Sequence, residues 1–269
     1  MSYTFAVHGK KPCMFDLVEN VKCKSLNKIC VKNSTVDQLY CYIEQKSTRG
    51  VEIVWNAKNN TLQIVTFVCS TNEDYQLAFA LIVQAAKTME TVICAGSECY
   101  ESQEFIEKHN QYWIDKLEEK YIRNLLHQVD RHKTTVKIPC LFRDFYLGPN
   151  TASKIIEVQN TRLDLLNMIK KVIYFKDQNV FVADKMIMKH YNKSFCVWGP
   201  GISYLFPNCD LFGIISENGA PNTIPRKMIF ELIPDKIKFL DEHHILVDSL
   251  NEKEYNSMCE QITHESIAG

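Results

Sequence analysis

Glycine is scarce in this sequence: 9 residues of 269, less than half the roughly 7% of an average chain. That scarcity bears on function, because phosphate cradles, nucleophile elbows and dinucleotide folds use clustered glycines to bring backbone against a ligand or to turn with positive φ. No glycine-rich loop with its lysine, no Gly-x-Ser-x-Gly, no His-Glu-x-x-His and no calcium loop occurs. A surplus of charge is also missing, since 31 Lys+Arg against 32 Asp+Glu leave a formal net charge of −1. Global attraction to polyanions is thereby excluded and nucleic acid is disfavoured as a partner. No apolar run approaches the roughly 18 residues of a membrane span. The first residues lack a charged leader, an apolar core and a small-residue cleavage site, so no signal peptide and no membrane association are expected.

Cysteine, by contrast, is abundant: 11, an odd count spread over the chain. The closest pair is Cys94 and Cys99, and no second pair has metal-ligand spacing, so neither a zinc site nor a cofactor is expected. Cys94 and Cys196 sit in apolar runs, where cysteine behaves as a small hydrophobe. The expectation is a cytoplasmic protein with reduced thiols. Hydrophobic residues make up 46%, including 12 tyrosines and 14 phenylalanines. This is enough for one large domain or two small ones.

The pattern along the chain is α+β. Residues 21–32 read as a strand. Thr35 with Gln38 forms a capping-box signature ahead of Leu39, Tyr40, Tyr42 and Ile43, predicting a helix that Arg49-Gly50 breaks. Residues 51–55 and 61–68 flank a polar turn as a β-hairpin. Ser70 and Glu73 make a second capping box for a helix over about 73–89, apolar on nearly all faces across 77–83 and therefore buried against a sheet with another element over it. A short strand follows at 91–94. The order strand, helix, strand, strand, helix, strand predicts an N-terminal ferredoxin-like (βαββαβ) unit.

Residues 102–129 read as a long amphipathic helix or helix pair, with Ile106, Trp113, Leu117, Tyr121, Leu125 and Val129 on one face and Glu98, Glu101, Glu104, Glu107, Asp115, Glu118 and Glu119 on the others. A boundary is expected near Asp130 to Thr134, giving units 1–130 and 131–269 that could still pack as one domain. The second half reads as a mainly antiparallel sheet, including strands at 194–198, 211–215, 228–233 and 244–247, with a terminal helix from 251.

Two constellations could carry chemistry. Trp198, Gly199, Pro200 and Gly201, followed by Tyr204 and Phe206, place two of the few glycines and three large rings in one apparent loop. Rigid rings bury much area at small entropic cost, so these residues, with Arg226 on a later loop, are candidate partner contacts. The competing reading is a chain reversal with the rings folded beneath it. Asp241, His243 and His244 are candidate acid-base residues, although neighbours on a strand face opposite ways and only one histidine could serve a given site.

The run from Ser47 to Trp55, with its hairpin and Ser70-Thr-Asn-Glu-Asp-Tyr75 leading into the apolar helix, resembles a functionally uncharacterised family of bacterial cytosolic proteins over the first third of the chain. That resemblance implies no catalytic residues. In size and in its cysteine-rich, glycine-poor composition the chain also resembles immunity proteins of bacterial toxin systems. The sequence thus points to a non-enzymatic, cytoplasmic protein-binding protein, an immunity- or regulator-type inhibitor. The alternative is a small-molecule hydrolase or transferase with a His/Asp/Cys site between the two halves. A third reading, nucleic-acid binding through Lys10, Lys11, Lys22, Lys24, Lys28 and Lys32, needs exposed aromatics on a sheet face. Oligomeric state is not legible.

Overall fold

A computed structural model describes residues 2–21, 28–32, 34–188, 192–215 and 221–267. The chain divides into two compact units, Met1–Tyr174 and Phe175–Gly269. The division falls well beyond the boundary expected near residue 130, because two helices after it pack back onto the first unit. The α+β class is as expected.

The first unit opens with β1 (Ser2–His8), α1 (Met14–Glu19), β2 (Ile29–Lys32), β3 (Gln38–Ile43), β4 (Val51–Asn56) and β5 (Thr61–Phe67). The part of the expected first strand at 22–27 lies outside the described residues. Then follow α2 (Asn72–Met89), β6 (Ile93–Ala95), β7 (Glu98–Tyr100), α3 (Ser102–Lys108), α4 (Gln111–His132), β8 (Val136–Ile138), β9 (Phe145–Leu147), α5 (Pro149–Ile156) and α6 (Thr161–Ile173).

Seven strands form one sheet in the order β2-β3-β4-β5-β1-β6-β7, every neighbour antiparallel. This replaces the expected βαββαβ order and its parallel crossovers. The helix expected after Thr35 is strand β3, in which Leu39, Cys41 and Ile43 are buried and alternate with Gln38, Tyr40 and Tyr42. Period-two burial of Leu39, Cys41 and Ile43 overrides the capping signature. The Thr35 N–H instead donates to the Gln38 carbonyl at 2.7 Å.

Leu39, Cys41, Ile43, Val51, Ile53, Leu62, Ile64, Phe5 and Val7 make one apolar sheet face, and Leu77, Ala78, Leu81, Ile82 and Ala85 of α2 bury against it. The helix begins at Asn72, and its cap lies one residue later than the sequence signal. Thr71, not Ser70, caps it: the Thr71 hydroxyl accepts from Asp74 N at 3.2 Å, and the Asp74 carboxylate accepts from Thr71 N at 3.0 Å. Cys94 and Cys99 face each other across the β6–β7 hairpin and are joined as a disulfide. Direct opposition on antiparallel strands brings the two sulfurs together, so the expectation of reduced thiols fails for this pair.

The second unit contains β10 (Val180–Val182), β11 (Met186–Met188), β12 (Lys193–Trp198), β13 (Ser203–Phe206), β14 (Leu211–Ile215), β15 (Pro221–Pro225), α7 (Arg226–Leu232), a 3-10 turn (Pro234–Lys236), β16 (Ile237–Phe239), β17 (Ile245–Val247) and α8 (Glu252–Ile267). Two four-stranded sheets, β10-β13-β17-β16 and β11-β12-β14-β15, each carry one parallel pair among antiparallel ones. The strand expected at 228–233 is helix α7. A short apolar run has no decisive period, and Pro225 ends the preceding strand where that helix begins.

Candidate functional site

The residues singled out in the second unit fall into two groups. Trp198 ends β12, and Tyr204 and Phe206 lie on β13, so the apparent loop is a strand, a tight reversal and a second strand. Trp198 and Phe206 are fully buried, with Tyr255 edge-on to Trp198 at 5.7 Å and Tyr204 stacked on Phe206 at 5.1 Å. The Tyr255 hydroxyl donates to the Trp198 carbonyl at 2.8 Å. These rings form core, which corrects their assignment as a contact surface: strand alternation turns them inward. Gly199 is half-buried, Pro200 and Gly201 are exposed, and Gly201 adopts φ +86° while its N–H bonds the Leu250 carbonyl at 2.8 Å.

Arg226 is a tether rather than a contact residue. Its guanidinium donates to the Pro207 carbonyl at 3.0 Å and to the His243 carbonyl at 2.5 Å. Asp241, His243 and His244 lie in the turn before β17 and not on the strand. One Asp241 oxygen accepts from His243 N at 2.8 Å and His244 N at 2.6 Å, while the other meets His244 Nδ1 at 2.9 Å. Asp241 and His244 are buried, and burial also holds the His243 imidazole below its usual range, with Arg226 adding to the effect. Much of the carboxylate's hydrogen bonding is therefore spent on shaping the turn. The structure does bring Asp241, His243 and Arg226 together, through the His243 N–H and carbonyl, while Cys196 and Cys209 lie in the buried apolar cluster of the same unit.

A second network lies in the first unit. Glu118 on α4 is fully buried, accepting from Cys69 N at 3.0 Å and from the Tyr75 hydroxyl at 2.7 Å. Burial raises its carboxyl to about 7, outweighing the lowering by Tyr75 and Arg162. Burial likewise raises the Tyr75 phenol. Asp74 gathers N–H groups from Thr48 at 3.2 Å and Gly50 at 3.2 Å besides its cap bond, fixing the 47–50 loop to the start of α2. Arg162, in the first turn of α6, donates to Asp115 at 2.6 Å and to the Asn72 side-chain oxygen at 2.7 Å. Its Nε is buried without a hydrogen-bond partner among the described residues.

Arg162, Asp115 and Asn72 line an open cleft of about 660 Å³ between the start of α2, α4 and the α5–α6 turn. Tyr112 and Leu163 on its walls are 74% and 55% exposed. Lys116, Lys170 and Glu73 also line it and enter no ion pair among the described residues, while Asp115 is held by Arg162. None of these was singled out from sequence. The available signal was Glu118 itself: Ile114, Ile122, Leu126 and Val129 are the buried stripe of α4, one position off the expected face, and Glu118 interrupts it. A charge inside an apolar stripe is the informative exception.

No helix among the described residues is long and apolar enough to cross a membrane. Of the lysines considered for nucleic acid, Lys22 and Lys24 lie outside the described residues, and Lys32 is directed to the Leu141 carbonyl.

Fold and site together describe an α+β protein in which a buried polar network supports an open, mixed-charge cleft. The chain belongs to the family Domain of unknown function (DUF4299), whose profile matches residues 10–195. That stretch holds nearly all of the first unit, including the entire cleft, and ends within β12 of the second. No curated protein and no solved structure matches the chain.

Proposed function

We propose that the protein is a non-enzymatic binding protein of the bacterial cytoplasm, an inhibitor of immunity or regulator type, that receives a segment of a protein partner in the cleft of its first unit. The observation that carries this reading is the pair of exposed side chains, Tyr112 and Leu163, on the walls of a cleft where Arg162 ties Asp115 of α4 to Asn72 of α2. Rigid apolar anchors above a fixed polar floor are the usual centre of a protein interface. Mixed charge in the lining suits a peptide segment with an apolar anchor better than a polyanion. The exposed acids Glu101, Glu104 and Glu107, on and beside α3, would favour encounter with a basic partner such as a nuclease toxin.

The test is site-specific photo-crosslinking in the producing cell, with a benzophenone amino acid at position 112 or 163 and, for comparison, at the exposed Val36. The expected outcome is one discrete protein adduct from both cleft positions and none from Val36. No adduct from the cleft positions, or the same adducts from Val36, would overturn the reading.

A second reading, a hydrolase or transferase using Asp241, His243, His244 and a cysteine, has one observation in its favour: the Arg226 guanidinium joins those residues at the His243 carbonyl. Its prediction is loss of a small-molecule turnover in His243→Ala without loss of fold.

A further inference from the structure

Cys94 and Cys99 are set opposite one another by a very short reversal. Strand β6 ends at Ala95 and β7 begins at Glu98, so only Gly96 and Ser97 turn the chain, and Gly96 takes φ +64°, as the first residue of a two-residue hairpin turn must. The register that follows pairs Ala95 with Glu98, Cys94 with Cys99 and Ile93 with Tyr100. Alternation then sorts the side chains between the two faces of the sheet. Ile93, Ala95 and Tyr100 join the core under α2, together with Phe5 and Val7 of the neighbouring β1. Cys94 and Cys99 lie in one row with Ala6 on the opposite face. Strand β7 is the last of the sheet, Cys99 is exposed and Cys94 is half-buried. The disulfide thus sits on the outside of an edge hairpin, where one sulfur can be attacked without disturbing the core.

The rest of the chain keeps its thiols. Among the described residues eight further cysteines are free, with Cys41, Cys69, Cys196 and Cys209 buried and Cys13 exposed. As a permanent cross-link the Cys94–Cys99 bond would contribute little, because its cysteines are 5 residues apart and so small a loop removes little entropy from the unfolded chain. An exposed disulfide amid free thiols suits exchange instead, since exchange needs an accessible sulfur and a leaving thiol held beside it.

We infer that Cys94 and Cys99 form a reversible thiol–disulfide exchange site whose co-reactants are low-molecular-weight thiols and their disulfides. In the reducing direction a small thiol loses its proton to solvent and its thiolate attacks the exposed Cys99 sulfur. The S–S bond breaks, Cys94 leaves with the electron pair as a thiolate and takes up a proton, and Cys99 carries the small thiol as a mixed disulfide. A second small thiolate then attacks the small-molecule sulfur of that mixed disulfide and releases Cys99, which is protonated in turn. The sum is one protein disulfide and two small thiols giving two cysteine thiols and one small disulfide. In the oxidising direction the same steps run backwards. Cys94, held opposite by the hairpin, then displaces the small thiol from Cys99 as an intramolecular neighbour, at an effective concentration that a free thiol in solution does not match. The hairpin therefore confers on this pair a preference for the disulfide that Cys13, exposed and free, lacks.

The experiment equilibrates the full-length chain with mixtures of reduced and oxidised glutathione, quenches with acid, alkylates in denaturant, and maps a non-reduced tryptic digest by mass spectrometry. Cys94 and Cys99 share one tryptic peptide, residues 88–108, so the disulfide is read as a peptide without alkyl groups and the dithiol as a doubly alkylated one. The expected result is a reversible titration between these two forms while the far-UV circular dichroism of the chain stays constant. The disulfide should persist at reduced-glutathione levels at least about tenfold above those that clear the glutathione adduct from Cys13. In Cys94→Ser that preference is lost, and a glutathione adduct on Cys99 should titrate together with the one on Cys13. Should the variant fail to fold, the wild-type titration decides alone. A pair that is doubly alkylated in every mixture, a disulfide that survives every mixture, or one that opens only as the circular dichroism is lost would each overturn the inference.

Discussion

Replacing Glu118 by Gln should make the protein more stable above neutral pH and leave it nearly unchanged in mild acid. In the folded chain the Glu118 carboxyl titrates near 7, against an ordinary value of 4.5. The unfolded chain therefore gives up its proton first, and the folded state carries an increasing penalty as pH rises from 4.5 to 7. Stability contributed by the protonated form is fully present below the lower value and lost as pH passes the upper one. The difference corresponds to about 3 kcal/mol. Gln fits the site because its oxygen can accept from Cys69 N and its amide can donate to the Tyr75 hydroxyl oxygen, so both partners stay satisfied. Urea titrations of wild type and Glu118→Gln at about pH 5, 7 and 8 test this. The two unfolding free energies should lie within about 1 kcal/mol of each other at the acidic end and differ by about 3 kcal/mol at the basic end, with the variant higher. Parallel pH profiles would refute the reasoning, since they would mean that Glu118 is ionised in both states or open to water.

Gly50 has φ +67°, and a Cβ there would stand 2.7 Å from the Cys41 carbonyl oxygen, so Gly50→Ala should cost on the order of 1–3 kcal/mol in a thermal melt. An unchanged melting temperature would show that the 47–50 loop yields freely. Trp198→Ala should cost about 3–5 kcal/mol in urea unfolding, because the ring is core rather than contact surface. A shift below about 0.5 kcal/mol would instead restore Trp198 as a surface residue. Tyr112→Ala and Leu163→Ala should each stay within about 0.5 kcal/mol of wild type in the same titration. Either one should reduce the adduct formed from the other cleft position, and an undiminished adduct would separate the side chains from binding.

The elements legible in the sequence are those whose burial pattern is also their local pattern. The β4–β5 hairpin alternates Val51, Ile53 and Trp55 with half-buried neighbours, and α2 carries an apolar core flanked by a cap, so period and propensity agree. Strand β3 was hidden because Thr35 and Gln38 imitate a cap, while its Leu39, Cys41, Ile43 alternation becomes decisive only beside β4. Tertiary pairing overrode a local signal there. The Gly199–Gly201 reversal was found as a position but misread as a surface, since inward and outward rings look alike until β12 and β13 are strands. The polar floor of the cleft was hidden for another reason. Asn72, Asp115 and Arg162 lie on three helices far apart in the chain, and no spacing rule joins them. Glu118 was counted among the acids of a solvated face, because a one-residue error in the stripe of an α-helix rotates each side chain by about 100°. That small rotation decides whether the carboxylate meets water or the Tyr75 hydroxyl, and therefore whether it titrates like its exposed neighbours or near neutrality.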